Sequence, residues 1–201
     1  MGTKIVYLTI TLLILSCTNK VDCPGFPKKY LVWMPYIQGE KISFTDGIDT
    51  LQLMVDETYI VEPYTAKRFK FLDEDRCDSY ASCSITGDSL PGITYSSDNY
   101  DSGADFKISF QLNSGFNVFQ FRDNNGESFL TYWPYQHNEI LNSYDNGCKV
   151  FYDVIKIESD TLLVPETLLP DIQVYQLYIG KNIGIIQFKD RLNHKTWSLI
   201  Q

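Results

Sequence analysis

The sequence predicts an all-β protein built as a single antiparallel domain, whether a sandwich, a barrel or a strongly curved sheet. Apolar Phe106, Ile108 and Phe110 alternate with Lys107 and Ser109, the period of a strand with one buried face. Strand-like segments also recur at hairpin spacing, and no window of twelve or more residues has the 3.6-residue period of a helix. Such spacing predicts roughly 11 to 14 short strands.

Turn residues divide the chain into predicted strands. Gly47 separates two apolar segments, and Asn124-Asn125-Gly126 separates two more, so both sites predict hairpins. Residues 96–104, rich in Gly and Asp, are expected to form a long loop, and prolines in residues 162–169 predict a loop or edge. The predicted strands are residues 42–46, 49–55, 106–112, 117–123, 127–135, 150–157, 172–179, 183–188 and 196–200.

Composition favours a folded, acidic protein. Apolar residues make up 44% of the 201 residues and aromatics 14%, enough for a substantial core. The formal net charge of −8 provides no basic field to neutralise phosphates, so nucleic acid is not expected as a partner. No motif for a cofactor is present.

The N-terminus has the layout of a secretory signal peptide. Lys4 precedes an apolar run at residues 5–15, and Ser16 supplies the small residue before a cleavage site. This run has eleven residues, whereas a membrane-spanning helix needs about 20. The expected cut falls immediately before Cys17.

Ile14-Leu15-Ser16-Cys17 resembles the lipobox of bacterial lipoproteins. The resemblance implies that residues 1–16 are a cleaved signal peptide and that the Cys17 thiol carries acyl chains such as palmitate. The protein would then be bound to a lipid bilayer through acylated Cys17. Ordinary secretion with a coincidental cysteine is the alternative. Residues 17–29 are expected to be a lipidated tether and residues 30–201 the β-rich domain.

Two further stretches resemble uncharacterised Bacteroidota cell-envelope lipoproteins. They are residues 178–188 with Trp197-Ser198-Leu199, and Cys23-Pro24-Gly25-Phe26-Pro27 with Trp33-Met34-Pro35-Tyr36. The resemblance implies a lipid-anchored location in the cell envelope, at the outer membrane of a Gram-negative bacterium. The resemblance does not decide whether the protein is on the periplasmic face or the outer surface of that membrane, and it assigns no molecular function.

Four further cysteines, Cys23, Cys77, Cys83 and Cys148, are disulfide candidates because an exported chain meets an oxidising environment. Four cysteines allow three pairings, and the sequence does not choose among them. Short loop closure favours Cys77–Cys83 together with Cys23–Cys148. No metal site is expected, since the ligand spacing of zinc sites is absent.

No catalytic residues are predicted. His137 and His194 both lie in polar, loop-like contexts, and no G-x-S-x-G sequence occurs. The acidic run at residues 73–75 reads as a solvated loop, because consecutive side chains of an extended chain point in opposite directions.

The aromatic residues offer a possible binding surface at Tyr36, Tyr132, Trp133 and Tyr135, since such rings can stack on sugars or grip a protein. The sequence therefore predicts a non-catalytic binding or structural module, with an envelope protein or glycan as partner. One alternative is a carrier of an apolar ligand or lipid in a concave sheet. Another is a carboxylate-dependent glycan hydrolase, which would need two facing carboxyl groups.

Overall fold

The computed structural model describes residues 25–61, 64–66, 76–87, 92–100, 103–112, 115–124, 127–129, 136–159, 174–191 and 193–200. Within these ranges the protein is all-β apart from one 3₁₀ helix at Lys28–Trp33. The thirteen strands are β1 Lys41–Thr45, β2 Thr50–Ile60, β3 Tyr64–Ala66, β4 Arg76–Thr86, β5 Ile93–Tyr100, β6 Gly103–Leu112, β7 Gly115–Asn124, β8 Glu127–Phe129, β9 Gln136–Asp145, β10 Val150–Ser159, β11 Val174–Gly180, β12 Gly184–Asp190 and β13 Lys195–Leu199.

The strands form one antiparallel sheet in the order β8-β7-β6-β5-β4-β2-β1-β13-β12-β11-β10-β9, and β3 pairs with β4. Phe110 on β6 and Phe188 on β12 are six positions apart in this order, yet their ring centroids are 5.4 Å apart. A contact of that kind crosses the interior, so the sheet is rolled and nearly closed. The predicted all-β antiparallel domain is confirmed.

Buried and more exposed side chains alternate along β6 as the sequence predicted. Phe106, Ile108 and Phe110 are at most 1% exposed, whereas Lys107 faces solvent. Phe106 stacks on Phe121 of β7 with centroids 4.7 Å apart. Each such side chain stabilises the fold by about 1.5–3 kcal/mol through burial. Aromatic rings therefore fill much of the described interior.

The rolled sheet has two distinct ends. Because β13 is antiparallel to both β1 and β12, β1 and β12 run in the same direction. The turn at residues 46–49, which follows β1, and the turn that follows β12 therefore lie at the same end. We call this end the loop end. The opposite end holds the 3₁₀ helix and the turn at residues 181–183, and is called the helix end. The turn at residues 146–149 also lies there, since Val154 of β10 pairs with Gly180 at the end of β11.

The 3₁₀ helix closes the helix end. Asn182 donates its backbone N–H to the carbonyl of Val32 at 2.5 Å. The Trp33 indole donates to Asp123 on β7 at 2.6 Å, and the Tyr36 hydroxyl accepts the N–H of Ile185 at 2.7 Å. Three contacts to three different strands or turns fix the segment against the sheet.

Burial extends further toward the N-terminus than the predicted tether allows. Phe26 is only 7% exposed and packs edge-to-face on Tyr30 with centroids 6.4 Å apart. The folded unit therefore begins by Phe26, before the expected boundary at residue 30.

A side chain joins β9 to β7 where the rolled sheet nearly closes. Gln136 donates from Nε2 to the carbonyl of Val118 at 2.7 Å, and its Oε1 accepts the N–H of Gln120 at 3.4 Å. Its amide group thus makes the donor and acceptor bonds that a facing strand would supply.

The β9–β10 hairpin forms a second apolar cluster on the outer surface. Phe151 and Val154 pack there with Tyr178 and Ile186. The hairpin ladder is interrupted beside Asp153, which has a φ of 53°. The kink brings both halves of the hairpin against the outside of β11 and β12.

Three local predictions are corrected. Residues 96–100 and 103–104, expected to belong to a loop, lie on β5 and β6, where the polar residues Ser96 and Asp98 occupy paired positions. His137, expected in a loop, lies on β9 opposite Glu158. The segment between Cys77 and Cys83 is part of β4 rather than a loop. Of the strand predicted at residues 127–135, residues 127–129 form β8, and residues 130–135 lie outside the described part of the chain.

Candidate functional site

The loop end carries a cluster of charged side chains from two turns. Lys195, the first residue of β13, places its Nζ 2.9 Å from the Asp46 carboxylate and 2.5 Å from that of Asp49. Its ammonium also lies 5.0 Å from the centre of the Trp197 ring. We call Asp46, Asp49, Asp190, Lys195 and Trp197 the loop-end cluster.

The turn at residues 46–49 is held by its own side chains. Asp46 Oδ1 accepts the backbone N–H groups of Ile48 at 2.9 Å and Asp49 at 2.6 Å. Gly47, with a φ of 92°, provides the left-handed conformation that closes the turn. The sequence Asp-Gly folds in this way because a short carboxylate can cap nearby backbone donors.

These contacts hold Asp46 in its charged form. The N–H of Asp49, then the ammonium of Lys195, lower the pKa of the Asp46 carboxyl to about 2. Reciprocally, the hydrogen bonds that Lys195 donates to Asp49 and Asp46 raise the pKa of Lys195. A permanently ionised pair of this kind is suited to binding and poorly suited to exchanging protons near neutral pH.

Asp190 organises the second turn. It is 5% exposed, and it accepts the backbone N–H of Asn193 at 3.1 Å and the side-chain amide of Asn193 at 2.6 Å. His194 follows with a φ of 53°. Asp190 therefore fixes the shape of the turn that presents Lys195.

Two open depressions share this cluster. One, of about 450 Å³, is lined by Asp49, Thr50, Leu51, Asp190, Asn193, Lys195 and Trp197. The other, of about 270 Å³, is lined by Tyr175, Asp190, Arg191, His194, Lys195 and Thr196. Both are rich in hydrogen-bonding groups, which fits a hydrated polar partner better than an apolar one.

A buried polar group lies deeper in the sheet. The Tyr36 and Tyr95 rings meet edge-to-face at 6.0 Å, and burial raises the pKa of both phenols well above 10. Among the described residues, the Tyr95 hydroxyl has no hydrogen-bond partner. Burial also raises the pKa of the nearby Cys83 thiol to about 12, so this thiol is not poised to act as a nucleophile.

Of the four residues of the predicted aromatic surface, only Tyr36 lies in the described part of the chain. The hydroxyl of Tyr36 is bonded to Ile185 and its ring packs on Tyr95, so Tyr36 contributes to the fold and its hydroxyl is not presented to a partner. Tyr132, Trp133 and Tyr135 lie outside the described residues, as does Cys17.

The predicted Cys77–Cys83 disulfide is wrong. Both residues lie on the uninterrupted strand β4, six residues apart, which separates them by about 20 Å. A disulfide requires Cα atoms within about 7 Å. Cys83 is a buried free thiol and Cys148 an exposed one, while Cys23 lies outside the described residues.

The sequence analysis did not identify the loop-end cluster. Its signal was present in the Asp46-Gly47-Ile48-Asp49 turn, but nothing in the sequence indicated that Lys195 would reach it across 146 residues. A similar turn at the helix end uses Asn146, which caps Lys149 and donates to the carbonyl of Leu199.

Nowhere in the described ranges do three or more His, Cys, Asp or Glu side chains come together in a way that could hold a metal ion. The helical structure described here is too short to cross a membrane. No family model, no curated protein and no solved structure matches the chain.

Proposed function

We propose that this protein is a lipid-anchored component of the bacterial cell envelope, attached through Cys17, whose domain binds a polar envelope partner at its loop end. The anchor rests on the lipobox resemblance of residues 14–17. Several acyl chains on one cysteine would make membrane attachment effectively permanent.

One observation supports this arrangement above others. The 3₁₀ helix at Lys28–Trp33 lies at the helix end, so a chain anchored at Cys17 would join the domain at the end opposite the loop-end cluster. Seven residues, 18–24, lie between Cys17 and Gly25, a separation of eight positions along the chain. Fully extended, they span at most about 28 Å. The helix end would therefore face the bilayer, and the loop end would be presented to the surroundings.

The chemistry of the loop-end cluster supports binding above catalysis. Asp46 and Asp190 are engaged by backbone donors of their own turns, and Lys195 is paired with two carboxylates. Groups held in this way are fixed in position and can orient hydrogen bonds to a partner.

A glycan or a polar protein segment fits the larger depression. Trp197 lines this depression together with Asp49 and Asn193, which supply polar atoms. Aromatic faces flanked by carboxylate and amide groups suit hydroxyl-rich ligands. The closely packed aromatic interior favours such a binding module over a carrier of an apolar ligand.

Attachment is tested with Cys17→Ala in the native host. We expect wild-type protein in the membrane fraction to incorporate radiolabelled palmitate and the variant to be released without label. Cys148→Ala, which removes another exposed cysteine, serves as the control and should behave as wild type. Membrane retention of unlabelled Cys17→Ala protein would refute the lipid anchor.

Binding at the loop end is tested with purified envelope glycans, namely peptidoglycan fragments and lipopolysaccharide, titrated by calorimetry. Asp49→Ala should weaken any binding at least fivefold, since it removes an exposed carboxylate from the larger depression. Asp145→Ala removes an exposed carboxylate at the helix end and is the matched control. Equal losses in both variants, or no binding of either glycan, would count against a glycan partner.

A further inference from the structure

Two hydroxyl groups on the inner side of β5 are buried without a hydrogen bond. Tyr95 is 0% exposed and Ser97 is 1% exposed, and neither hydroxyl has a partner within the described part of the chain. Both side chains lie on the same face of the strand as Ile93, whose paired residue Phe110 contacts Phe188 across the interior. Buried hydroxyls in proteins normally bond to another group or to an ordered water, because an unbonded one destabilises the fold.

Small side chains surround Ser97 on the inner surface of the sheet. Ser97 pairs with Ala81 of β4, and Ala104 of β6 lies one level nearer the helix end. Both alanines are 0% exposed. The corresponding inner positions nearer the loop end hold the much larger Ile85 and Phe110. The inner surface of these three strands therefore changes from bulky and apolar to small and partly polar towards the helix end, and we call Ala81, Ser97 and Ala104 the small patch.

The aromatic rings next to the small patch are held by contacts of their own. Phe106, which pairs with Ser97, stacks on Phe121 of β7 with ring centroids 4.7 Å apart. The Tyr95 ring meets the Tyr36 ring edge-to-face at 6.0 Å. Because close packing fixes both rings, the Tyr95 phenol cannot turn to find a protein partner for its hydroxyl.

Water is the ligand that these groups fit. Burial raises the pKa of Tyr95 well above its usual value of 10, so the phenol keeps its proton and can both donate and accept. The Ser97 hydroxyl can do the same, and the thiol of Cys83, which pairs with Tyr95, adds a weak donor. A buried water needs about two to four polar partners, and these groups provide them. An apolar molecule in this place would leave both hydroxyls unbonded.

We propose that ordered water is bound inside the rolled sheet at the small patch, with hydrogen bonds to the hydroxyls of Tyr95 and Ser97. This site is separate from the loop-end cluster and does not depend on the lipid anchor, so it goes beyond the function proposed above. A lipid chain entering the interior at this level would displace the water without replacing its hydrogen bonds. Bound water at the small patch therefore argues against the alternative of an apolar carrier.

Crystals of the full mature protein test the proposal without any substitution. At high resolution we expect electron density for water about 2.7–3.0 Å from the Tyr95 Oη and Ser97 Oγ atoms. Absence of such density beside either hydroxyl would overturn the proposal, whether that hydroxyl bonds to another protein group or to nothing. Xenon introduced under pressure gives a second readout, since it binds in dry apolar cavities. Xenon at the small patch would likewise overturn the proposal.

Removal of each hydroxyl gives opposite results for a hydrated and a dry site. A water-bonded hydroxyl stabilises the fold, whereas an unbonded one is better replaced by an apolar group of the same shape. We therefore expect Tyr95→Phe and Ser97→Ala each to raise the equilibrium constant for unfolding in urea about tenfold. A constant that falls or stays unchanged in either variant would overturn the proposed site, because both hydroxyls are assigned to it.

Matched controls carry the same substitutions at exposed positions. Tyr152→Phe on β10 and Ser143→Ala on β9 each remove an exposed hydroxyl and should change the unfolding constant by less than about twofold. An equal rise in these controls would contradict the proposal, because the loss of stability would then come from the change of residue type and not from bound water.

Discussion

The indole N–H of Trp33 donates to the carboxylate of Asp123 at 2.6 Å, across 90 residues of sequence. Trp33 is 1% exposed and Asp123 is 3% exposed, so the bond lies in the interior at the helix end. It joins the 3₁₀ helix to the far end of β7. The 3₁₀ helix therefore belongs to the core of the domain.

Replacing Trp33 tests how much this segment contributes to stability. Trp33→Ala should lower the free energy of unfolding by about 3–5 kcal/mol, because it removes a buried aromatic side chain. Trp33→Phe retains most of the apolar contact with Phe121 but loses the bond to Asp123, and should cost about 1–3 kcal/mol. Urea unfolding followed by circular dichroism measures both. An unchanged midpoint for Trp33→Phe would show that the bond contributes nothing to the fold.

Gly184 is predicted to be intolerant of any side chain. Its φ is 82°, and an added Cβ would meet the Tyr36 hydroxyl. Gly47 has a φ of 92° with open space around it, so Gly47→Ala should lower the free energy of unfolding only by the conformational cost of about 1–2 kcal/mol. Gly184→Ala should lower the free energy of unfolding by more than that. Thermal unfolding of both variants compares them.

The collision with Tyr36 can be isolated by a double substitution. An added Cβ at Gly184 would lie against ring carbon Cζ of Tyr36 as well as against its hydroxyl, so Tyr36→Ala, which removes both, should make Gly184→Ala less destabilising than it is in the wild type. Equal costs in the two backgrounds would show that the loss comes from the backbone conformation alone.

Local periodicity was sufficient to predict the class of fold. Phe106, Ile108 and Phe110 alternate with polar residues, and β6 buries exactly the expected face because a strand turns successive side chains to opposite sides. Gly47 likewise predicted a turn, and it has a positive φ. These signals are short-range, so the sequence displays them directly.

Contacts between distant residues could not be predicted. Lys195 reaches Asp49 across 146 residues, and no pattern near either residue indicates the other. The polar strands β4 and β5 were missed for a related reason. Ser82, Ser96 and Ser97 weaken the alternation, and these strands are defined by pairing with their neighbours.

Gln136 should control the junction between β9 and β7. Gln136→Ala removes both amide bonds to the β7 backbone and should cost about 1–3 kcal/mol. It should also speed amide exchange of Gln120, whose N–H is bonded to Gln136. Gln38→Ala, which removes an exposed amide bond to the Asp56 carbonyl, is the control and should leave Gln120 unaffected. Unchanged exchange at Gln120 would mean that the side-chain bridge does not hold the strands together.

Acid should weaken the loop-end turn through Asp46. The pKa of its carboxyl is lowered from 3.8 to about 2, so its stabilising effect is complete above pH 3.8 and is lost as the pH falls through about 2. Asp46→Asn should remove the part of the pH dependence of the melting temperature that falls between pH 4 and pH 2.

Lys195→Met separates the two causes of the lowered Asp46 pKa. The pKa should rise in this variant but remain below 3.8, because the N–H of Asp49 lowers it more than Lys195 does. Carboxyl titration by NMR measures the value. A pKa that returned fully to 3.8 would assign the whole effect to Lys195.

The cysteines of the native protein should differ sharply in reactivity. Cys148 is exposed at the tip of the β9–β10 hairpin, whereas Cys83 is buried and its thiol has a pKa raised to about 12 by burial and by Glu40 and Asp56. Iodoacetamide at pH 8 should therefore label Cys148 within minutes and Cys83 only after denaturation, since the thiolate is the reactive form. Peptide mass spectrometry measures both sites in one experiment. A peptide pair joined through Cys77 and Cys83 would contradict the continuous strand β4, because its two cysteines are too far apart to bond without breaking the ladder with β5.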